Sequence, residues 1–279
     1  MSVWVHTLVR NEERFLWFSI RSVIDHVDKL LLWDMESDDR TPEIIKEIKR
    51  LYPNKIDSRT VSKVTSEGFA KVRQEMLDAT SSDWFLIVDG DEVWWDDSIK
   101  KVSQKISESG NNIESIVVPS INLVGDIYHY QESIAGRYSL AGRTGHFALR
   151  GVKRKIQGLS SKNPHGTWGW TDGEGKMIQD RDKTKILFID APYLHATHLL
   201  RSANRELDKN VIKREKKLKY EIGNNFPKDY YYPEVFFRER PMFVPSPWVK
   251  MDNNFLLRSV IETPFRRIKR RIIKGGIGY

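Results

Sequence analysis

At 279 residues and 39% hydrophobic content, the chain can form one sizeable core, or one large domain with an appendage. With 46 Lys and Arg against 38 Asp and Glu the net charge is +8, which favours anionic partners: a nucleotide, a phospholipid surface or a nucleic acid. The chain has no cysteine, which excludes disulfides and thiolate metal sites. No apolar run nears the roughly 20 residues needed to span a bilayer, and Met1–His6 lacks the basic and apolar regions of a signal peptide, so a cytoplasmic location is expected.

Residues 3–9 read as a first strand, and Phe15, Leu16, Phe18, Ile20, Val23, Ile24 and Val27 follow at helical spacing. Lys29–Trp33 is a second strand ending at Asp34. Thr41-Pro42-Glu43 starts a helix, with Thr41 as N-cap, that runs through Ile44, Ile45, Ile48 and Leu51. Residues 56–61 form a weak third strand, and a helix over 66–80 turns Phe69, Val72, Met76 and Leu77 inward. A strand at 84–88, a polar helix near 97–108 and a strand at 113–119 complete an alternation typical of a mostly parallel sheet covered on both faces.

The pivotal stretch is Ser82 to Glu92. Trp84–Val88 is a short apolar, partly β-branched run that suits a strand buried on both faces, and it runs straight into Asp89-Gly90-Asp91-Glu92. Open α/β sheets place their ligands at the C-terminal ends of such strands. In extended backbone Asp89 and Asp91 point the same way. Two nearby carboxylates repel unless a positive charge lies between them, and a hard divalent cation on phosphate oxygens would supply it. Gly90 leaves room for a close neighbour. The plain alternative is a solvated Asp-Gly turn after a core strand.

Four stretches in order then resemble the family 2 glycosyltransferases, whose nucleotide-diphosphosugar fold is called GT-A. Val9-Arg10-Asn11-Glu12-Glu13 looks like the family's opening "NE" turn, and Asp34 to Thr41 like its D-x-x-S-x-D-x-T loop. Gly68 to Gln74 resembles the G-x-x-x-x-R-N helix, with Gln74 where Asn is usual, and Asp83 to Glu92 matches D-W-x-x-x-x-D-x-D-E. The resemblance implies a GT-A catalytic domain over 1–200, its nucleotide-sugar half at 1–119 and its acceptor half at 120–200, followed by a basic extension over 201–279. It implies that Val9, Asn11, Glu12, Asp34, Asp39, Arg73, Asp89 and Gly90 bind the nucleotide sugar. Asp34 would touch uracil or ribose, Asp39 and Arg73 would shape the pocket, and Asp89 and Asp91 would hold Mn²⁺ or Mg²⁺. Turn and cap chemistry is the structural alternative for Asp34 and Asp39.

The second half is less regular, with strands expected at 147–149 and 186–189. His195 and His198 resemble the segment where family members place a histidine near the metal, with His198 preferred because Arg201 follows it; imidazole suits Mn²⁺ better than Mg²⁺. His165 is a further candidate near the acceptor. Members invert the anomeric centre with a carboxylate base, for which Asp172 and Glu174, in a glycine- and tryptophan-rich stretch, are the candidates. Residues 199–219 read as a basic helix with a solvated face, and 226–248 as irregular and packed over the domain. Thr263-Pro264 opens a helix whose Phe265, Ile268 and Ile272 share one face among basic residues through Lys274, the composition of an interfacial helix on an anionic membrane. The expectation is a metal-dependent, inverting transferase moving a sugar from a UDP-sugar to a glycan or lipid-linked hydroxyl, peripheral on the cytoplasmic membrane face. The rival is a non-catalytic nucleic-acid- or membrane-binding protein on a degenerate transferase fold. A related nucleotidyltransferase is a smaller third possibility, and no nucleic acid is the expected partner.

Overall fold

A computed structural model describes residues 1–110, 112–163, 165 and 167–272. Pro164 and Gly166 beside His165, Ile273 and Lys274 of the basic segment, and the glycine-rich end 275–279 lie outside the described residues. The N-terminal half alternates as expected: β1 (Val3–Val9), α1 (Leu16–Val23), β2 (Lys29–Asp34), α2 (Thr41–Leu51), β3 (Ile56–Thr60), α3 (Gly68–Asp78), β4 (Trp84–Ile87), β5 (Glu92–Trp94) and α4 (Asp96–Glu108). Then come β6 (Ser115–Val124), β7 (Asp126–Tyr130), the hairpin β8 (Tyr138–Leu140) and β9 (Arg143–Gly145), and β10 (Phe147–Lys153). The remainder holds the β11 (Ser160–Lys162) and β12 (Gly169–Thr171) pair, β13 (Ile186–Phe188), β14 (Tyr193–His198), short helices α5 (Arg205–Lys209) and α6 (Arg214–Lys217), β15 (Asn224–Asn225) and the long α7 (Asn253–Ile272).

The main path of the eleven-stranded sheet runs β15-β7-β6-β10-β4-β1-β2-β3. The β3-β2-β1-β4 half is wholly parallel, with Val9 opposite Asp34 and His6 opposite Ile87. These strands are apolar on both faces because α1, α2, α3 and α4 cover them: Val5, Leu30, Trp84 and Phe85 are buried with α1's Phe18 and Ile20 and α2's Ile44 and Ile48. Each such side chain withdraws about 1.5–3 kcal/mol of apolar surface from water. The other half is mixed. β10 enters antiparallel between β4 and β6, and β5 turns back antiparallel to β14. Neither insertion has a periodic signal, since β5 has three residues and β10's central arginine interrupts its apolar run.

Several local expectations change. The Thr41 hydroxyl does not cap α2: it accepts from Glu12 N at 2.8 Å, while Asp39 accepts from Thr41 N at 2.9 Å. The basic stretch 199–219 is not one helix but α5 and α6 within irregular chain. The C-terminal helix begins ten residues before Thr263, and Pro264 lies inside it. The segment 226–248 is irregular and packed down, as expected. Its Phe236 meets Phe18 edge-on at 5.2 Å, and Trp95 Nε1 donates to Tyr231 O at 2.9 Å.

Candidate active site

β1 and β4 are parallel neighbours, so their C-terminal ends open on one edge of the sheet, and Asp89-Gly90-Asp91 crosses that edge. A Cβ on Gly90 would lie 2.9 Å from both Glu12 Cγ and Val9 Cγ1. The glycine therefore lets the chain cross against Val9 and Glu12. β5 then carries Glu92 opposite His195 on β14, and Ala196 N donates to Asp91 O at 2.8 Å. This pairing brings His195 Nε2 to 3.4 Å from Asp91 Oδ2.

Every carboxylate here meets a guanidinium. Arg201 Nη1 lies 2.6 Å from Asp91 Oδ2 and 3.2 Å from Glu12. Arg73 and Arg150 bracket Asp89 at 3.1 and 3.5 Å, and Arg150 also grips Glu92. Arg214 joins Glu12 to Asp208. Burial would raise the Asp91 carboxyl, but Arg201, with a hydrogen bond from His195, outweighs it and holds it well below the usual carboxylate range. At Asp89, Arg150 and Arg73 likewise overcome burial and hold the group low. Both therefore carry full negative charge at neutral pH. Burial keeps His195 neutral, against the pull of Asp91, so a ring nitrogen retains its lone pair.

The cleft above these groups has a volume of about 420 Å³, within the range of small-molecule sites. One side is apolar: Leu8, Met35, Phe69, Trp168 and His165. Trp168 meets Phe69 edge-on at 5.6 Å, and the Arg73 guanidinium lies 5.4 Å from the Phe69 ring and 5.2 Å from the Trp168 ring. Arg73 is 2% exposed, yet its Nε and Nη1 have no hydrogen-bond partner. His165 also stands edge-on to Phe69, at 4.8 Å, and burial with Lys217 and Lys213 nearby lowers it to about 4. The other side offers Ser120, Asn122 and His146, with Lys213, Arg214 and Lys217 also lining the cleft.

The structure gathers Glu12, Arg73, Asp89, Gly90, Asp91, His165 and His195 around this cleft, and leaves the other candidates outside its lining. Asp34 is taken up by Ser37, whose hydroxyl and N–H donate to it at 2.5 and 3.1 Å. Asp39 accepts from Glu13 N and Thr41 N, which is cap chemistry. Val9 accepts from Met35 N through its carbonyl at 2.8 Å. Asn11, at φ +53°, ties loops together by accepting from Asp38 N and donating to Leu207 O. His198, the preferred histidine, faces a different groove: its Nδ1 meets Lys217 O at 2.8 Å and its Nε2 meets Lys219 Nζ at 3.2 Å. A bulge between His195 and His198 separates the two. Asp172 is also elsewhere. It accepts from Glu174 N and Lys176 N and pairs with Arg181, while Glu174 is exposed, so neither lines the cleft.

Sequence reasoning missed Arg150, Lys213, Arg214 and Lys217. Arg150 is the extra residue of a bulge in β10, between Leu149 opposite Val117 and Gly151 opposite Ile116, and a bulge re-aims a side chain. Its signal was an arginine inside the apolar run Phe147–Val152, which needs a buried partner. The cations of 213–217 looked like a solvated helix face. Arg214 instead reaches Glu12, some 200 residues away, and Lys213 donates to His165 O, 48 residues away.

The family described as Glycosyl transferase family 2 matches this chain over residues 4–171. A TPR repeat-containing protein of Synechococcus elongatus is 34% identical over 87 residues, which cover 30% of this chain and 19% of that protein. S. aureus TarS, residues 1–349 with UDP, is 14% identical at a TM-score of 0.44, covering 70% of this chain and 60% of that one. The longer TarS chain is covered to 37%. Glucosyl-3-phosphoglycerate synthase from Mycobacterium tuberculosis, with Mn²⁺ and UDP-glucose, is 18% identical at a TM-score of 0.44, covering 75% of this chain and 73% of that one. The family match spans more than half of the sequence, and its strand ends are those that carry Asp89 and Asp91. The chain belongs to glycosyl transferase family 2 and has the GT-A fold.

Proposed function

We propose that the cleft binds a nucleotide-diphosphate sugar, UDP-linked, and transfers its sugar to a hydroxyl of a glycan, free or lipid-linked. The observation that carries this reading is one cleft holding an aromatic wall, the Asp89/Asp91 pair and a surplus of cations. The planar, apolar side at Phe69 and Trp168 suits a nucleobase. The unpartnered donors of buried Arg73, with Arg150, Arg201, Lys213 and Lys217, suit the diphosphate, and guanidinium forks match phosphate oxygens. Ser120, Asn122 and His146 offer neutral hydrogen-bonding groups to sugar hydroxyls.

The family implies a divalent ion, and the residues present fit one. Among the described residues no group of three or more His, Asp or Glu is placed to hold a metal. A cation on a diphosphate, however, needs only one or two protein ligands, since phosphates and water complete its shell. Asp91 and neutral His195, 3.4 Å apart, would hold it, and a carboxylate–imidazole pair favours Mn²⁺. When bound, the ion supplies charge neutralisation at the leaving diphosphate. The arginines contribute in the same sense as fixed positive charge where negative charge develops.

Thermal denaturation with UDP, GDP or dTDP, each with Mn²⁺ and with EDTA, tests the reading. UDP with Mn²⁺ is expected to raise the melting temperature most. If no nucleotide shifts it under any condition, the reading fails and the non-catalytic rival takes its place.

A further inference from the structure

We propose that α7 is an in-plane membrane helix that seats the protein on an anionic bilayer. One side of α7 is tied to the body. Thr263 Oγ1 accepts from Ile222 N at 2.8 Å, Arg266 Nε donates to Tyr220 O at 3.1 Å, and Arg270 pairs with Glu221 at 2.5 Å and Glu132 at 3.1 Å. Ser259 and Thr263 are buried on that side. At about 100° per residue, the opposite side carries Leu257, Ile261, Phe265, Ile268 and Ile272. They are 67%, 61%, 71%, 55% and 73% exposed, so a straight apolar stripe faces solvent over four turns of helix. Val260, also exposed, widens it. Scattered surface leucines need no explanation, but a continuous stripe does.

Charge decides what covers the stripe. By the same spacing Arg258 and Lys269 border it on one side, and Arg267 and Arg271 on the other. Glu262 is the sole acid of the helix and is bonded to Arg258 and Arg266. Two copies meeting stripe to stripe would bring basic margins together, on chains that each carry a net charge of +8. A lipid surface of negative headgroups complements both features: the apolar side chains enter the acyl boundary and the long cations reach back to the phosphates. No helix among the described residues is long and apolar enough to cross a membrane, so the helix lies in the plane. The stripe starts at Leu257, eight residues before the Phe265 at which the basic segment draws notice in the sequence.

Flotation with vesicles of phosphatidylglycerol and phosphatidylcholine in equal parts, against phosphatidylcholine alone, tests this on the full chain. The expected result is binding to the anionic vesicles alone, weakened by added salt. The double variant Ile261→Asn, Phe265→Asn should lose about tenfold in partitioning. Both side chains are exposed, so the variant should melt as the parent does and keep its response to UDP. Absence of vesicle binding, or equal binding to neutral vesicles, would overturn the proposal. So would a dimer in light scattering that the double variant dissolves, since a second copy would then cover the stripe.

Discussion

Arginine is used in two opposite ways in two regions of this molecule. In the cleft Arg73, Arg150, Arg201 and Arg214 are 2–8% exposed, and each contacts at least one carboxylate from a distant part of the chain. On α7 the cations Arg267 and Lys269 border a bare apolar stripe and have no ion-pair partner among the described residues. Burying a charge costs several kcal/mol unless a partner compensates it, so the cleft arginines are held in fixed geometry by mutual need. Arg267 and Lys269 are in no such pair among the described residues. Arginine thus lines a charge-paired cleft in one place and borders an exposed apolar stripe in the other.

The contrast breaks first at Arg201. Arg201→Leu leaves Asp91 and Glu12 short of a buried counter-charge and should cost about 3–5 kcal/mol of stability in denaturant titration, whereas Arg267→Leu should stay within about 0.5 kcal/mol. Equal costs would erase the distinction. Asp91→Asn keeps the volume but removes the charge facing His195 and Arg201, and sugar transfer should fall by about 10²–10³. Retention of most activity would remove Asp91 from the chemistry. Arg73→Leu should weaken nucleotide binding by about 10- to 100-fold, the worth of charge-assisted hydrogen bonds, with little effect on a bound sugar acceptor. The smallest effect is expected at Asp172. Asp172→Asn loosens the turn it organises and its pair with Arg181, lowering stability slightly and the rate by less than about threefold. A large loss of rate with an intact fold would restore Asp172 as the base.

Legibility in the sequence follows the range of the interactions. The β1–β4 half was readable because its signals are local: apolar runs of strand length, helical spacing, and the Asp-Gly-Asp crossing where apolar character stops. Asp89 and Asp91 stood out there for that reason and Arg73 through the resemblance of Gly68 to Gln74 to the family's helix, and all three line the cleft. Asp34 and Asp39 carry the right letters, but Ser37 and the start of α2 occupy their oxygens. In the second half the site depends on pairings that periodicity does not encode. The β10 bulge aims Arg150, the β5–β14 pairing selects His195 over His198, and the fold-back of 205–217 delivers Arg214 to Glu12. The apolar stripe of α7 was half visible: its basic end stood out, whereas Leu257–Ile261 look like ordinary core until the body proves to lie on the other side.

The most direct test of the central claim is calorimetric titration of UDP with Mn²⁺ into the parent chain and into His195→Ala and His198→Ala, each repeated with EDTA. The geometry predicts metal-dependent binding that His195→Ala weakens by about tenfold or more and His198→Ala leaves nearly unchanged. Metal-dependent binding lost in His198→Ala and kept in His195→Ala, or UDP binding indifferent to Mn²⁺ in all three proteins, would contradict it.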